Sequence, residues 1–350
     1  MKTARDRIFD FIKSKDSASA AEVAKKFKIT RQAVNRHLWL LIREGRLLRQ
    51  GTGRRNTIYL PNEKKILKKF IGASQEFGRR YKAAGLSEDS AFTEIRSQPG
   101  LLDSLNENGL EVLQYAFTEM LNNAIEHSGS RFIDVELCVN EASLAADVVD
   151  KGIGAFENIR KKKNLPKILD AIQDLLKGKL TTAPEFHSGE GIFFTSKIVD
   201  RFVLSCNGKV LIIDNKLGDI FVESGRKMKG TSVHFEIVLP ARIKPVEVFR
   251  KYTNENFAFD RSSLNVKLFD TGDSYVSRSQ AKRLLHSMEN FKSIELDFTG
   301  VKTVGQAFAD EVFRVFKNLH PEINITYKSA NEDVEFMIAR AVACTDRPLE

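Results

Sequence analysis

Hydrophobic residues in the first 61 positions recur at helical spacing three times and then change to strand-like runs. The segment RDRIFDFIKSKD predicts a helix with Ile8, Phe9, Phe11 and Ile12 facing inward. In SASAAEVAKKFKI, Ser19 and Glu22 have the spacing of a capping box. A third helix follows Thr30, and LLRQGTGRRNTIYLP predicts two short strands joined by a glycine-rich, basic tip. The pattern therefore predicts three helices and a hairpin.

The middle of the chain carries one long helical pattern followed by strands. The stretch NEKKILKKFIGASQEFGRRYKAAG predicts a charged linking helix, and residues up to about 106 are too polar to interpret. Residues 111–127 predict a helix in which Glu119 and Asn123 lie one turn apart on the same face. FIDVELCVN, SLAADVVD and GTSVHFEIVLP alternate as half-buried strands do, and an apolar helix is predicted to begin near Ile192.

From about residue 257 the pattern changes again. RSSLNVKLFD, SIELDF and INITYKSA predict strands, and they alternate with helical stretches that end with a helix from about residue 332. Strands and helices that alternate at this length are typical of a small α/β domain. With 350 residues, the chain should contain two or three domains.

Composition indicates an ordinary globular protein. No run of about 18 apolar residues occurs, and the amino terminus MKTARDRIFDF lacks the apolar segment of an export signal. We therefore expect no membrane span and a cytoplasmic location. Cys138, Cys206 and Cys344 are odd in number and lie in apolar stretches, so we expect reduced thiols and neither a disulfide nor a zinc site.

Charge is distributed unevenly along the chain. Residues 1–80 hold 21 Lys and Arg against 7 Asp and Glu, whereas the remainder holds 34 against 39. The net charge of +9 therefore belongs to the N-terminal segment alone. A compact basic segment on an otherwise slightly acidic chain favours a polyanion as partner over a merely solvated charged face.

Three helices followed by a basic hairpin resemble the winged helix-turn-helix family over about residues 3–61. In that family the third helix enters the major groove of double-stranded DNA and the hairpin contacts the backbone or minor groove. A winged helix used only for protein contacts is the alternative. Arg, Gln and Asn can read base edges, and Arg also binds phosphates. The DNA-contacting residues that the resemblance implies are Thr30, Arg31, Gln32, Asn35, Arg36, Arg54 and Arg55.

Four short motifs follow in order across the middle of the chain. They are Glu-x-x-x-Asn-Ala at 119–124, Asp-x-Gly-x-Gly at 150–154, Gly-x-Gly at 189–191 and Gly-Thr at 230–231. Each alone is weak, and none is a Walker loop or a dinucleotide fingerprint. As an ordered set they resemble the GHKL ATPases, the superfamily of gyrase and histidine kinases. Anti-sigma-factor kinases and histidine kinase catalytic domains are the members that the segment resembles most.

The resemblance implies ATP and Mg²⁺ as ligands. Asn123 would hold the Mg²⁺, Asp150 would accept the exocyclic amine of adenine, and Thr231 would support Asp150. Glu119 would be the catalytic residue that orients water or a phosphate acceptor. Residues 155–188 would form the lid over the nucleotide. Asn122, Glu126 and His127 would lie at the edge of the pocket, on the surface or as caps. The remaining residues implied to contact the nucleotide are Gly152, Gly154, Gly189 and Gly191.

The C-terminal stretch IELDFTGVKTVGQAFADEVF resembles the STAS-type antagonists of anti-sigma factors. In those proteins a loop between a strand and a helix carries a serine that the partner kinase phosphorylates. Here the loop reads Thr303-Val304-Gly305-Gln306-Ala307, so the serine is missing and Thr303 is the nearest hydroxyl. The resemblance implies an α/β fold and contact with a regulatory protein.

Together these features predict a multidomain α+β chain. Its domains would be a winged helix-turn-helix (1–62), a helical linker or start of the ATPase domain (63–106), a GHKL α/β sandwich with a mixed sheet under helices (107–242) and a STAS-like α/β domain (255–346). The favoured function is an ATP-controlled, DNA-binding transcriptional regulator that forms a homodimer. A serine/threonine protein kinase acting on a partner or on its own STAS-like domain, and an ATP-bound interaction scaffold, are the alternatives.

Overall fold

Hydrophobic side chains of the described residues form three cores, one each for the N-terminal, middle and C-terminal parts of the chain, and Phe193 and Phe194 of the middle part enter the C-terminal core. The structure is a computed structural model that describes residues 3–43, 46–50, 57–61, 74–178, 190–254, 259, 261–265, 275, 277–286 and 288–343. It is a multidomain α+β fold with one large antiparallel sheet. Among these described residues, no helix is long and apolar enough to cross a membrane.

The N-terminal unit contains three helices and a two-stranded antiparallel hairpin, as predicted. Ile8 and Ile12 are buried in its core. The Ser19 hydroxyl accepts a hydrogen bond from the Glu22 amide at 3.2 Å, and the Glu22 carboxylate accepts one from the Ser19 amide at 2.8 Å. The capping box is therefore confirmed. The basic tip of the hairpin lies outside the described residues. The elements are α1 (Ala4–Ser14), α2 (Ala20–Phe27), α3 (Arg31–Arg43), β1 (Leu47–Gln50) and β2 (Ile58–Pro61).

The predicted linking helix is wrong over its second half, because Gln75–Lys82 forms a strand, β3. β3 pairs antiparallel with β4 (Phe132–Val139) at the edge of the large sheet. Phe77 and Tyr81 are four residues apart, a spacing that fits one face of a helix and equally one face of a strand. Tyr81 is buried against the helices, whereas most of the residues between are charged and exposed, which hides the period of two.

Seven strands form the large sheet, in the order β3-β4-β5-β9-β6-β7-β8. Every pair in it is antiparallel, so the prediction of a mixed sheet is wrong for the described strands. The reason is that β9 inserts between β5 and β6 and runs opposite to both. The strands that complete the sheet are β5 (Ser143–Asp150), β6 (Arg201–Cys206), β7 (Lys209–Asp214), β8 (Asp219–Ser224) and β9 (Thr231–Val238).

Helices cover one face of this sheet. Burial alternates along β5 and β9, so every second side chain enters the core shared with the long helix. Phe117 on that helix is fully buried and its ring lies 5.9 Å from that of Phe92. Burying such a ring contributes about 1.5–3 kcal/mol. The helices of this middle unit are α4 (Glu88–Arg96), α5 (Glu107–His127), α6 (Ala155–Lys162), α7 (Ile168–Lys177), α8 (Gly191–Ile198) and α9 (Pro245–Tyr252).

The C-terminal unit is a parallel three-stranded sheet with helices, as the alternating pattern predicts. Its strands lie in the order β10-β11-β12. Parallel strands need a crossover between them, and helices supply the crossovers here. The strands are β10 (Arg261–Asn265), β11 (Ser293–Asp297) and β12 (Asn324–Lys328). The helices are α10 (Arg278–Leu285), α11 (Gln306–Asp310), which continues as a π-helical segment (Glu311–Phe316), α12 (Lys317–Leu319) and α13 (Glu332–Ala343).

Candidate functional site

A cavity lies between one face of α5, the ends of β5 and β9, and the helices α6, α7 and α8. Five residues that the sequence singles out line it together, although up to 112 positions separate them in the chain. They are Glu119, Asn123, Asp150, Gly191 and Thr231. Apolar side chains, including Met120, Val148, Leu204 and Val233, complete the wall. Polar and apolar groups thus share the lining almost equally, and a concave site that joins an apolar wall to convergent polar groups suits a small molecule.

The helix α5 contributes Glu119 and Asn123, one turn apart. The Nδ2 of Asn123 donates to the carbonyl oxygen of Glu119 at 2.7 Å. Because the amide nitrogen is used within the helix, the Oδ1 of Asn123 is the atom left to act as an acceptor. A single amide oxygen suits Mg²⁺, which takes few protein ligands and keeps water or phosphate oxygens for the rest of its shell. No metal-binding cluster of three or more His, Cys, Asp or Glu side chains occurs in the described part of the chain.

Asp150 and Thr231 meet at the ends of neighbouring strands. Period-two alternation places Asp150 on the same buried side of β5 as Val148. Val148 lies opposite Val233, and the same register brings Asp150 opposite Thr231. The carboxylate of Asp150 accepts hydrogen bonds from the Gly152 amide at 2.7 Å and from Thr231.

Burial raises the pKa of Asp150 above its ordinary value of 3.8, and these hydrogen bonds offset only part of the effect. The side chain is 4% exposed. The Oγ1 of Thr231 accepts from the Ala155 amide at 3.0 Å, which fixes the start of α6 beside the carboxylate. Asp150 is therefore a fixed acceptor at the floor of the cavity.

Gly152 and Gly154 shape the turn after β5 and lie beside the cavity. A Cβ at Gly152 would stand 1.8 Å from the carbonyl oxygen of Ser128, so only glycine fits there. Gly154 has a φ of +87°, and a Cβ on it would meet the side chain of Asn207 at 2.5 Å. Ser128 and Asn207 therefore lie directly against these two glycines, and the contact of Gly152 and Gly154 with a nucleotide stays a prediction.

The start of α8 packs against Glu119. A Cβ at Gly191 would stand 1.9 Å from the Oε2 of Glu119, so the helix begins directly on the carboxylate. Glu119 thus lies at the positive end of the α8 dipole, the position that favours negative charge. Gly189, the other glycine of this motif, lies outside the described residues, as do residues 179–188 of the predicted lid, whose earlier part, residues 155–178, forms α6 and α7.

The edge of the cavity contains residues that the motifs do not identify. Asn122, Glu126 and His127 line it, in agreement with their predicted place at the edge. Asn158 on α6 also lines it, and its Nδ2 donates to the carbonyl oxygen of His127 at 3.3 Å. Leu175 on α7 is a further lining residue. Neither Asn158 nor Leu175 belongs to a recognisable motif, so the only signal in the sequence was their place in the predicted lid, residues 155–188.

Five of the seven predicted DNA-contacting residues lie at the start of α3 or on it. Thr30 caps this helix, because its Oγ1 accepts from the Ala33 amide at 3.3 Å. Asn35 is half-buried and Arg36 is exposed. Arg31 and Gln32 form the first turn of α3, although the structure does not describe their side chains. Arg54 and Arg55 lie outside the described residues.

Comparison with known families identifies one part of the chain. The family described as STAS-like domain of unknown function (DUF4325) matches residues 280–335. The C-terminal unit is a STAS-like domain. The match covers α10 to the start of α13 and leaves the N-terminal and middle units outside it. A search of curated proteins finds no match to this chain.

Within the STAS-like domain, Thr303 is exposed on the loop before α11. Neighbouring Val304 is buried and forms a parallel bridge with Tyr275. The loop is therefore anchored to Tyr275 directly after Thr303, and the Thr303 side chain is accessible to solvent.

Proposed function

We propose that this chain is an ATP- and Mg²⁺-binding regulator of the GHKL type that binds double-stranded DNA through its N-terminal unit as a winged helix-turn-helix. The observation that supports the nucleotide site most is the convergence of Glu119, Asn123, Asp150, Gly191 and Thr231 on one cavity. Four separate motifs supply these five residues, and their convergence on one cavity is not expected in an unrelated fold.

Each of these residues has a chemistry suited to the proposal. Ionised Asp150 is an acceptor and would select a base with an exocyclic amine, as in adenine. Its hydrogen bonds from Gly152 and Thr231 favour the ionised form that this role needs. The apolar wall would take the faces of the base, while the Oδ1 of Asn123 would bind the Mg²⁺ that neutralises the phosphates.

Calorimetric titration with Mg-ATP and Mg-GTP tests the nucleotide site. Asn123→Ala should reduce the affinity for Mg-ATP by at least about 10-fold, because it removes the cation's protein ligand, a loss of about 1.4 kcal/mol or more. Asn324→Ala, an exposed asparagine on β12, is the matched control and should bind as wild type does. Retained Mg-ATP affinity in Asn123→Ala, or equal affinity for Mg-GTP, would contradict the proposal.

DNA binding by the N-terminal unit is supported by charge and exposure. Residues 1–80 carry a threefold excess of basic over acidic residues, and Arg36 projects from α3 with its side chain exposed. Arg36→Ala should weaken binding to a pool of short duplexes and reduce the slope of log affinity against log salt by about 1, the value for one lost phosphate contact. Lys13→Ala on α1 removes the same charge away from α3 and is the control. An equal effect of both variants would assign the binding to net charge alone.

Protein kinase activity is the second candidate, and the position of Glu119 supports it. The carboxylate lies inside the cavity, where it could orient either a water molecule or a hydroxyl acceptor. Exposed Thr303 is one hydroxyl on the chain itself. Incubation with labelled ATP distinguishes the candidate functions. Transfer of labelled phosphate to protein favours a kinase, release of phosphate to water favours an ATPase, and binding without either favours a scaffold. Glu119→Gln should abolish transfer or release while Mg-ATP still binds.

Control of DNA binding by ATP requires that the nucleotide bind one arrangement of the chain more tightly than another. The nucleotide would act by closing the lid segment and changing the docking of the STAS-like domain or dimerisation. Contact with a regulatory protein through the STAS-like domain, and homodimer formation, remain predictions. Sedimentation with and without Mg-ATP measures the second of them directly.

A further inference from the structure

The last residue of α7, Lys177, reaches out of the middle unit into the STAS-like domain. Its side chain is only 3% exposed. The Nζ donates to the carbonyl oxygen of His286 at 2.6 Å and to that of Arg283 at 3.2 Å. Both carbonyls lie at the carboxyl end of α10, where a helix leaves its carbonyls without partners and favours a cation. Lys177 therefore caps a helix of the other domain.

Asp174 completes this contact from one turn earlier on α7. Its carboxylate forms ion pairs with Lys177 at 3.2 Å and with Lys163 at 3.0 Å, and is 2% exposed. Burial acts to raise the pKa of Asp174, but the two lysines outweigh it and hold that pKa below its usual range. The hydroxyl of Ser262 on β10 donates to the carbonyl oxygen of Lys177 at 2.9 Å. Backbone and side chain of Lys177 are thus both held by the STAS-like domain.

A second contact between the domains lies on α8. The rings of Phe193 and Phe194 are buried in the core of the STAS-like domain, 4.9 Å and 5.1 Å from the ring of Phe259. Phe193 also lines the cavity of the middle unit, as does Leu175 two residues before Lys177. The two elements that the STAS-like domain holds are therefore the same two that form one wall of the cavity.

We propose that Lys177 is a positioning residue through which the STAS-like domain fixes the α7–α8 wall of the nucleotide cavity, so that docking of this domain sets the affinity of the site for Mg-ATP. The inference rests on the proposed function of the cavity. If the wall is already ordered in the unbound protein, nucleotide binding does not bear the entropic cost of ordering it. Docking should therefore strengthen nucleotide binding, and release of the domain should weaken it. By reciprocity, Mg-ATP should stabilise the docked domain to the same extent.

The test measures the affinity and dissociation rate of a fluorescent ATP analogue with Mg²⁺ on the full chain. Lys177→Met removes the cap while keeping the length of the side chain, and exposed Lys292→Met in the STAS-like domain is the matched control. Lys177→Met leaves Asp174 buried beside one lysine fewer, so the double variant Lys177→Met with Asp174→Asn removes that buried charge. An asparagine at position 174 keeps a side-chain oxygen and nitrogen that can hydrogen-bond the Nδ1 of His286, which lies 3.3 Å from the Oδ1 of Asp174. Amide hydrogen exchange at the end of α10 reports docking in every variant.

Lys177→Met should bind the analogue about 5- to 150-fold more weakly, the usual range for coupling between sites, with faster exchange at the end of α10. The double variant should regain thermal stability but not affinity, because the bonds to Arg283 and His286 are still missing. Recovery of affinity together with stability would reduce Lys177 to a structural role and overturn the proposal, as would unchanged or tighter binding in Lys177→Met. Failure of the wild-type chain to bind Mg-ATP would instead refute the proposed function itself.

Discussion

The turn after β5 provides a sharp test of the cavity's architecture, through Gly152→Ala. The new Cβ would stand 1.8 Å from the carbonyl oxygen of Ser128, whereas Cβ atoms need at least 3.0 Å, so the two backbones must separate by about 1.2 Å. Ser128 follows α5 directly and its oxygen also accepts from the Ile153 amide at 2.9 Å. The separation therefore moves Asp150 away from the end of α5 that carries Asn123.

Two magnitudes follow for Gly152→Ala. Forcing extra volume into a packed site costs about 1–3 kcal/mol, and each kcal/mol lowers the melting temperature of a domain of this size by about 2–4 °C. A displacement of about 1 Å can reduce the rate of a reaction at a positioned site by about 100-fold, and we expect Mg-ATP affinity to fall in the same direction. We therefore expect a small loss of stability with a large loss of Mg-ATP affinity.

Calorimetric and thermal titrations with Mg-ATP measure both effects of Gly152→Ala. The matched control is Gly78→Ala on β3, where a Cβ meets nothing within 4 Å, and this variant should bind nucleotide as wild type does. Wild-type Mg-ATP affinity in a folded Gly152→Ala variant would refute the assignment of this turn to the site.

Two further predictions concern pH. Burial raises the pKa of Asp150 despite its hydrogen bonds from Gly152 and Thr231. Mg-ATP affinity should therefore fall on acidification, starting at a higher pH than the protonation of an ordinary aspartate. Calorimetry over a pH series should show this fall in wild type and a weak affinity that does not change with pH in Asp150→Asn. Burial acts to lower the pKa of His234, but hydrogen bonds to Asp147 at 3.0 Å and Glu236 at 3.3 Å outweigh it and raise the pKa to about 10. Stability from this group should be fully present below its unfolded pKa of 6.5 and be lost as pH rises through about 10. His234→Gln should therefore cost about 1.5–3 kcal/mol at neutral pH and little above pH 10, as measured by urea unfolding.

The elements around the cavity were predictable where they depend on local periodicity. Glu119 and Asn123 share a helical face because they are four residues apart, and β5 and β9 alternate plainly. The contact of Asp150 with Thr231 depends on strand register across 81 positions, which no local pattern specifies. The motifs nevertheless identify both residues, since each ends or begins its strand.

Two features, β3 and the contact of Lys177 with the STAS-like domain, could not be predicted from the sequence. β3 was hidden because its exposed positions carry charges that also suit the surface of a helix. In the sequence, Lys177 resembles the other basic residues of the predicted lid, and the carbonyl groups that accept its hydrogen bonds lie 106 and 109 positions later. Tertiary contacts decide both, so local propensity and composition could not predict them.

Titration of a random-sequence pool of short duplexes with the full chain, with and without Mg-ATP, tests the central claim most directly. If the nucleotide site controls DNA binding, the apparent affinity for the duplex should differ by about 5- to 150-fold between the two titrations. Asn123→Ala should abolish that difference without changing the nucleotide-free curve. Identical curves for the wild-type chain, at Mg-ATP concentrations shown by calorimetry to saturate it, would contradict the account.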